Sequence, residues 1–373
     1  MTRHRDMSVQ AYRGLTSLPE PFLRLLDEDR ESDFFLSRSF YENFERHGML
    51  SGWELQAFAV GNADDPLGLA IGIRPNGPVG FLRADAVHFA HPDQMPFRAY
   101  AHPEHGAAEE VIEAVAAALS QGDTRTDIVK FGAFELQDEF LAKVRSVLRE
   151  QGFITQKYFL YGNWYGETRG RSADDYMADR PSKLRNTVRR RAKRLEKEAV
   201  GNFHMVTGGE QLTPGVADYV RILVASWQGR HPMPRDYILG LFDIADALGV
   251  LRLGLYYVDG QPAAGQIWLV SKGTAHCYRL AFDPRFGRFS VGTLLTYEMF
   301  RYVIDVDKVE RIDFGIGDDP FKKDWVNRRR EYWGVAGFNK RSVAGLRTAA
   351  THLSITSTKR LLIRLGLWNR AEE

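Results

Sequence analysis

Cysteine is nearly absent. Cys277 is the only one in 373 residues, which excludes an intrachain disulfide and any zinc cluster built on thiolates. A reducing cytoplasm suits that scarcity. Long apolar runs are missing too: stretches such as 251–258 are broken by charge or glycine, far short of the ~20 residues a spanning helix needs. No membrane crossing is expected. Residues 1–10 carry Arg3, Arg5 and Asp6 with no apolar stretch behind them, so they lack the core of a secretory signal. Charge of one sign is scarce as well. Lys and Arg total 50 against 48 Asp and Glu, so any polyanion must be met by a local patch rather than by the whole surface. The histidines show no ligand spacing, and no metal site is expected.

What is present is enough apolar material for packed interiors: 44% of residues are hydrophobic and 12% aromatic. At this length two domains are the natural division. In the first half the periodicity predicts a helix over 33–47, a hairpin of strands 53–60 and 67–73 around the turn 61–66, a helix over 106–119, a strand over 127–134, a helix over 138–151 and a strand over 153–164. A charged link, 166–179, separates this from the second half. There the pattern predicts helices over 182–198, 215–228 and 235–248, then three strands over 250–258, 263–271 and 274–282. The pairs Asp259-Gly260 and Lys272-Gly273 turn those strands into an antiparallel meander. The loop 283–290, a helix over 291–304 and strands over 310–314 and 332–338 follow. Both halves run helix, strands, helix, strand, which predicts tandem copies of one fold without sequence repetition.

Two segments concentrate chemistry. The strand ending at 282 runs into Asp-Pro-Arg-Phe-Gly-Arg-Phe-Ser and the helix start Val291-Gly292-Thr293. Unpaired amides at a helix start favour phosphate, and a glycine there admits close approach. The plainer reading is an ordinary helix cap. The other segment is the helix 182–198, where Lys183, Arg185, Arg189, Arg190, Arg191, Lys193, Arg194 and Lys197 oppose only Glu196 and Glu198. Arginines three and four apart share a face, so a positive strip forms. It suits cofactor phosphates, a nucleotide-linked sugar, RNA or anionic lipid, or else it is a solvated face packed through Leu184, Val188 and Leu195.

The strings RPSKLRNTVRRRAKRLEKE, SVGTLLTYEMFRYVI and RIDFGIGDDPFKKDW, with the element order around them, resemble GNAT acyltransferases of the CelD/BcsL branch, related to FemAB-like proteins. The resemblance spans the basic helix to about Lys340. It implies an α/β (α+β) fold of tandem GNAT-like domains, with mixed, mainly antiparallel sheets flanked by helices. The expected divisions are a degenerate GNAT-like domain over 1–165, an acyltransferase domain over 180–340 and a basic amphipathic tail over 341–373. It also implies acetyl-CoA or another acyl-CoA as co-substrate, and an amine or hydroxyl acceptor in cellulose or exopolysaccharide production. Setting Gly292 on the last glycine of the family's cofactor loop puts Ser290 at the first glycine and Gly287 where an arginine or glutamine belongs, with Arg288 one residue late. Arg288, Ser290, Val291, Gly292 and Thr293 are therefore the expected cofactor contacts.

For chemistry the expected residues are Asp313 as general base in an apolar setting, Tyr278 as acid for the departing thiolate, and Lys322 against developing negative charge. Their alternatives are a loop-anchoring carboxylate, a packed tyrosine and a lysine–aspartate pair. The acceptor is expected at Asp318, Asp319, Trp325 and, before a proline-containing loop, Trp227. The competing reading makes both tryptophans packing residues. Adjacent on one strand, His276 and Cys277 point to opposite faces and form no catalytic pair. Beyond Lys340, apolar residues alternate with Arg347, Lys359, Arg360, Arg364 and Arg370, which suits an inner-membrane surface or a docked helix. Two other functions stand beside acyl-CoA transfer: aminoacyl transfer from charged tRNA, which gives the basic helix a purpose, and a non-catalytic scaffold.

Overall fold

The computed structural model describes residues 7–28, 34–80, 83–89, 97–104, 106–227 and 234–364, with backbone alone for Glu28, Trp227 and residues 355–364. The chain divides into two units, but not in sequence order. One comprises 1–29, 49–160 and 332–373, the other 30–48 and 161–331. The strands Phe153–Glu167 and Arg328–Asn339 each begin in one unit and end in the other.

In the first unit the sheet runs Val9–Arg13, Trp53–Gly61, Pro66–Pro75, Ala86–Phe89, Ile128–Glu135 and then the end of Arg328–Asn339. Its neighbours pair antiparallel except Ala86–Phe89 with Ile128–Glu135, which are parallel. The helices Ala108–Ser120 and Glu139–Glu150 cover one face, burying Val111, Val115, Leu141 and Val144 against Phe58, Val129 and Phe131. A smaller cluster on Ile128, Ala336, Phe338 and Ala349 receives the first turns of the helix Val343–Arg364.

In the second unit the order is Gly201–Val206, Leu251–Val258, Gln261–Ser271, Thr274–Phe282, Arg311–Ile316 and then the end of Phe153–Glu167. Here too a single pair, Thr274–Phe282 with Arg311–Ile316, is parallel. Both sheets therefore read antiparallel three times, then parallel, then antiparallel. Each takes its last strand from the far half of the sequence. This repeat is the tandem arrangement the element order predicts. The meander holds as read: Asp259-Gly260 and Lys272-Gly273 have paired positive φ of +50, +74 and +48, +69, the mirror-image turns that match strand twist.

Several expectations need correction. Residues 33–47 are not one helix. Ser37, extended at ψ 150, caps a fresh helix Arg38–Asn43 by accepting from the Phe40 amide, so a short 3₁₀ turn, Phe34–Leu36, stands before it and a π turn, Phe44–Gly48, after it. This segment belongs to the second unit, where Asn43 Nδ2 donates to the Tyr237 carbonyl at 3.0 Å. The charged link 166–179 holds an element of its own. Ser172 caps a helix, Ala173–Ala178, whose Ala173 and Tyr176 are buried in the second core. The strands Val9–Arg13, Ala86–Phe89, Ala99–Ala101 and Gly201–Val206 and the helix Glu20–Glu28 were not anticipated. Among the described residues no helix is long and apolar enough to cross a membrane.

Candidate functional site

The parallel pair in the second unit parts early. Thr274, Ala275 and His276 face Arg311, Ile312 and Asp313, and no pairing between these two strands follows. Past that fork the first strand carries Leu280 and Phe282, each 41% exposed. It then enters a 3₁₀ turn, Pro284–Phe289. Asp283 starts this turn by accepting from the Arg285 amide at 2.9 Å and from its guanidinium at 2.6 and 2.8 Å. Those bonds hold the Asp283 carboxyl below the ordinary carboxylate range. Ser290 follows in the left-handed conformation, φ 54 and ψ 48, and the helix Val291–Asp305 begins. A glycine suits that backbone best, so the serine sits at a strained corner.

The start of this helix is fixed from inside. Buried Gln266 donates through Nε2 to Thr296 Oγ1 at 2.7 Å and accepts from Trp268 Nε1 at 2.8 Å, while Thr296 Oγ1 donates to the Gly292 carbonyl at 2.8 Å. The chain of bonds ties the central strand to the first helical turn. On the outer side there is room: a Cβ on Gly292 would meet only the Phe282 ring, at 3.8 Å. The Thr293 amide, an expected cofactor contact, is already used: it donates to the Ser290 carbonyl at 2.9 Å. The amides of Val291 and Gly292, at the first two helical positions, have no carbonyl to reach within their own helix, and the glycine there is uncovered.

Positive charge gathers around the same loop. Arg191 of the helix Ser182–Glu198 donates to the Arg288 carbonyl at 2.6 Å, and Arg194 does so at 3.5 Å. The Arg288 guanidinium lies over the Phe289 ring at 4.5 Å. Leu184, Val188 and Leu195 are buried, whereas Lys183, Arg185, Arg189, Arg190, Lys193 and Lys197 are exposed. Both readings of the basic helix thus meet in one element, with an apolar face packed and a cationic face in water. A phosphate-bearing cofactor fits these residues.

Asp313 does not stand in an apolar setting. Its Oδ2 accepts from Arg330 at 2.6 Å, and its Oδ1 accepts from Asn163 Nδ2 at 2.6 Å and from the Gly315 amide at 2.7 Å. A carboxylate so engaged anchors a loop, and proton abstraction by it would cost an ion pair. Lys322 is likewise spent. Its ammonium donates to the carbonyls of Ile316 at 2.5 Å and Gly317 at 3.2 Å and pairs with Asp319 at 3.1 Å, using all three protons.

Asp318 is chelated by Arg329 at 2.7 and 2.8 Å and accepts from Trp164 Nε1 at 2.9 Å. The Arg329 guanidinium holds its carboxyl below the ordinary range. Gly162 makes this approach possible, since a Cβ there would lie 2.2 Å from the Asp318 carboxylate. Asp319 stays 58% exposed. Trp325 offers no face to a sugar: it is 4% exposed and packs on Phe300 at 5.1 Å in the second core. Tyr278 is buried beside Phe35, with the Arg279 guanidinium 4.9 Å from its ring. Trp227 ends the helix Leu212–Trp227, and its side chain lies outside the described residues. Cys277 is buried. The Gln266–Thr296 bond, the Arg330–Asp313 pair and the contacts of Arg191 escaped the sequence reading.

Residues 182–323 match the acetyltransferase (GNAT) domain family. This stretch is a GNAT-type N-acyltransferase domain. Its boundaries enclose the fork, the cradle at Gly292 and the basic helix. No curated protein matches the chain. Among solved structures, that of FemX shares 13% identity over 84% of this chain and 95% of its own, with a TM-score of 0.54. L-PGS from Bacillus licheniformis shares 12% over 90% and 98%, with a TM-score of 0.51. At such identities the likeness is one of fold.

Proposed function

We propose that the protein moves an acyl group, acetyl in the simplest case, from acyl-CoA to an amine or hydroxyl. The observation that carries this reading is the uncovered Gly292 at a helix start braced by Gln266 and Thr296 and flanked by Arg288, Arg191 and Arg194. Amides of Val291 and Gly292 would hold a pyrophosphate there, with the guanidinium groups adding charge. The strand edge past the fork offers backbone groups to an amide-bearing arm, and Leu280 and Phe282 cover its alkyl part. When bound, acyl-CoA supplies an activated carbonyl and a thiolate leaving group. With Lys322 and Asp313 engaged elsewhere, Tyr278, two residues past the fork, is the proton donor we assign to that thiolate. Asp319, exposed and paired with one ammonium, orients the acceptor.

The acceptor class we assign, a sugar of a surface polysaccharide, rests on the CelD/BcsL resemblance alone, whereas inner-membrane association through residues 342–373 rests on the basic and apolar pattern of that tail. A second reading, transfer from charged tRNA, is favoured by one observation: the exposed cationic face of Ser182–Glu198 adjoins the cradle. Transfer of labelled acetyl from acetyl-CoA to an amino-sugar acceptor, undiminished by RNase, is expected. Activity that needs aminoacyl-tRNA and vanishes with RNase would replace the first reading with the second.

A further inference from the structure

The first unit has its own parallel pair, and its third register position sets His88 opposite Lys130, as the second unit sets His276 opposite Asp313. In the second unit Arg330 neutralises the charge at that position. Among the described residues of the first unit nothing comparable does. Lys130 is half-buried and, among the described residues, has no hydrogen bond or ion pair. Among the described residues, buried His88 Nε2 has no hydrogen-bond partner either. The nearby acids are committed: Asp85 to Arg74, and Asp127 to the Asp85 amide and Ser342.

These side chains lie on the sheet face opposite the helices Ala108–Ser120 and Glu139–Glu150, since Val87, Phe89, Val129 and Phe131 point into that helical core and alternation sends His88 and Lys130 the other way. The Trp53 ring lies 5.1 Å from His88. His352, on the helix Val343–Arg364, rests 5.3 Å from Phe338, and burial, with Lys130 adding to it, disfavours its charged form. A half-buried ammonium without a counter-ion beside an orphaned ring nitrogen is costly. The cost is relieved if an oxyanion completes the site.

We propose that the His88–Lys130 junction binds a small molecule through a phosphate or carboxylate group, with Lys130 Nζ and His88 Nε2–H as donors and Trp53 beside them. This site is separate from the cradle at Gly292, and it stands whether or not acyl-CoA is the co-substrate. Burial and Lys130 together press the His88 imidazole down to about 4. At neutral pH it is therefore uncharged, with one N–H to give, and an anion between the two groups reverses that pressure.

The test is histidine NMR on the full-length Gly292→Trp protein, in which the cradle is blocked, titrated with inorganic phosphate and, separately, with acetate. A saturable shift of the His88 ring signals by either anion is expected, and Lys130→Met should weaken that response about tenfold or more. A response to phosphate alone assigns a phosphate ligand, and a response to both assigns an oxyanion of either kind. His88 signals unmoved by both anions would overturn the proposal. So would a shift that survives Lys130→Met, which keeps an unbranched side chain and removes the ammonium with its charge and donors. Because the first measurement needs no change at the junction, it decides even if that variant folds poorly.

Discussion

Arg330 Nη2 lies 2.6 Å from Asp313 Oδ2 at the fork where the two parallel strands part. Arg330 also donates to Asn163 Oδ1 at 2.7 Å, so one guanidinium fixes both the carboxylate and the amide that shares it. The pair is a brace for the slot rather than a reagent in it. Asp313→Ala is therefore expected to destabilise the fold by about 3 kcal/mol, since it takes the paired carboxylate away from a largely buried cation. Asp313→Ala with Arg330→Met should recover most of that loss. Urea unfolding of the single and double variants measures both. A fully stable Asp313→Ala lacking only turnover would return the carboxylate to the role of base.

Ser290 is a strained corner. Ser290→Gly should stabilise the protein by about 1 kcal/mol, because the left-handed backbone penalises any side chain and the serine makes no cap bond in return. Ser290→Val should lose stability. Thermal unfolding of the two variants gives the sign.

That corner also shows what was legible in the sequence. Placing Ser290 where a glycine belongs identified the position, and its φ of 54 shows why glycine is favoured there. Paired positive-φ turns at 259–260 and 272–273 made the meander readable, because local chemistry dictates such turns. The roles of Asp313, Lys322 and Trp325 were harder to read, since a carboxylate looks the same in sequence whether its partner, here 17 residues away, is present or not. The division into units was hidden for the same reason: strand pairing between residues 128–135 and 332–338 leaves no local mark.

Burial pushes the Cys277 thiol up to about 12. The folded protein disfavours its thiolate, so this group contributes stability that is complete below its unfolded value of roughly 8.5 and is lost as pH rises from there through the folded value. Cys277→Ala should flatten that alkaline decline. Iodoacetamide should label the native protein slowly at neutral pH and rapidly in urea. Fast native labelling would mean an accessible thiolate, contrary to this geometry.

At the cradle beside Gly292 the fold leaves space for a side chain, and the proposed function needs that space for a pyrophosphate. Calorimetry of CoA and acetyl-CoA binding to the intact protein and to Gly292→Trp tests it most directly. Saturable binding to the intact protein, absent in a variant that unfolds at the same temperature as its parent, is the expected result. No binding to the intact protein, or equal binding to both, would contradict it.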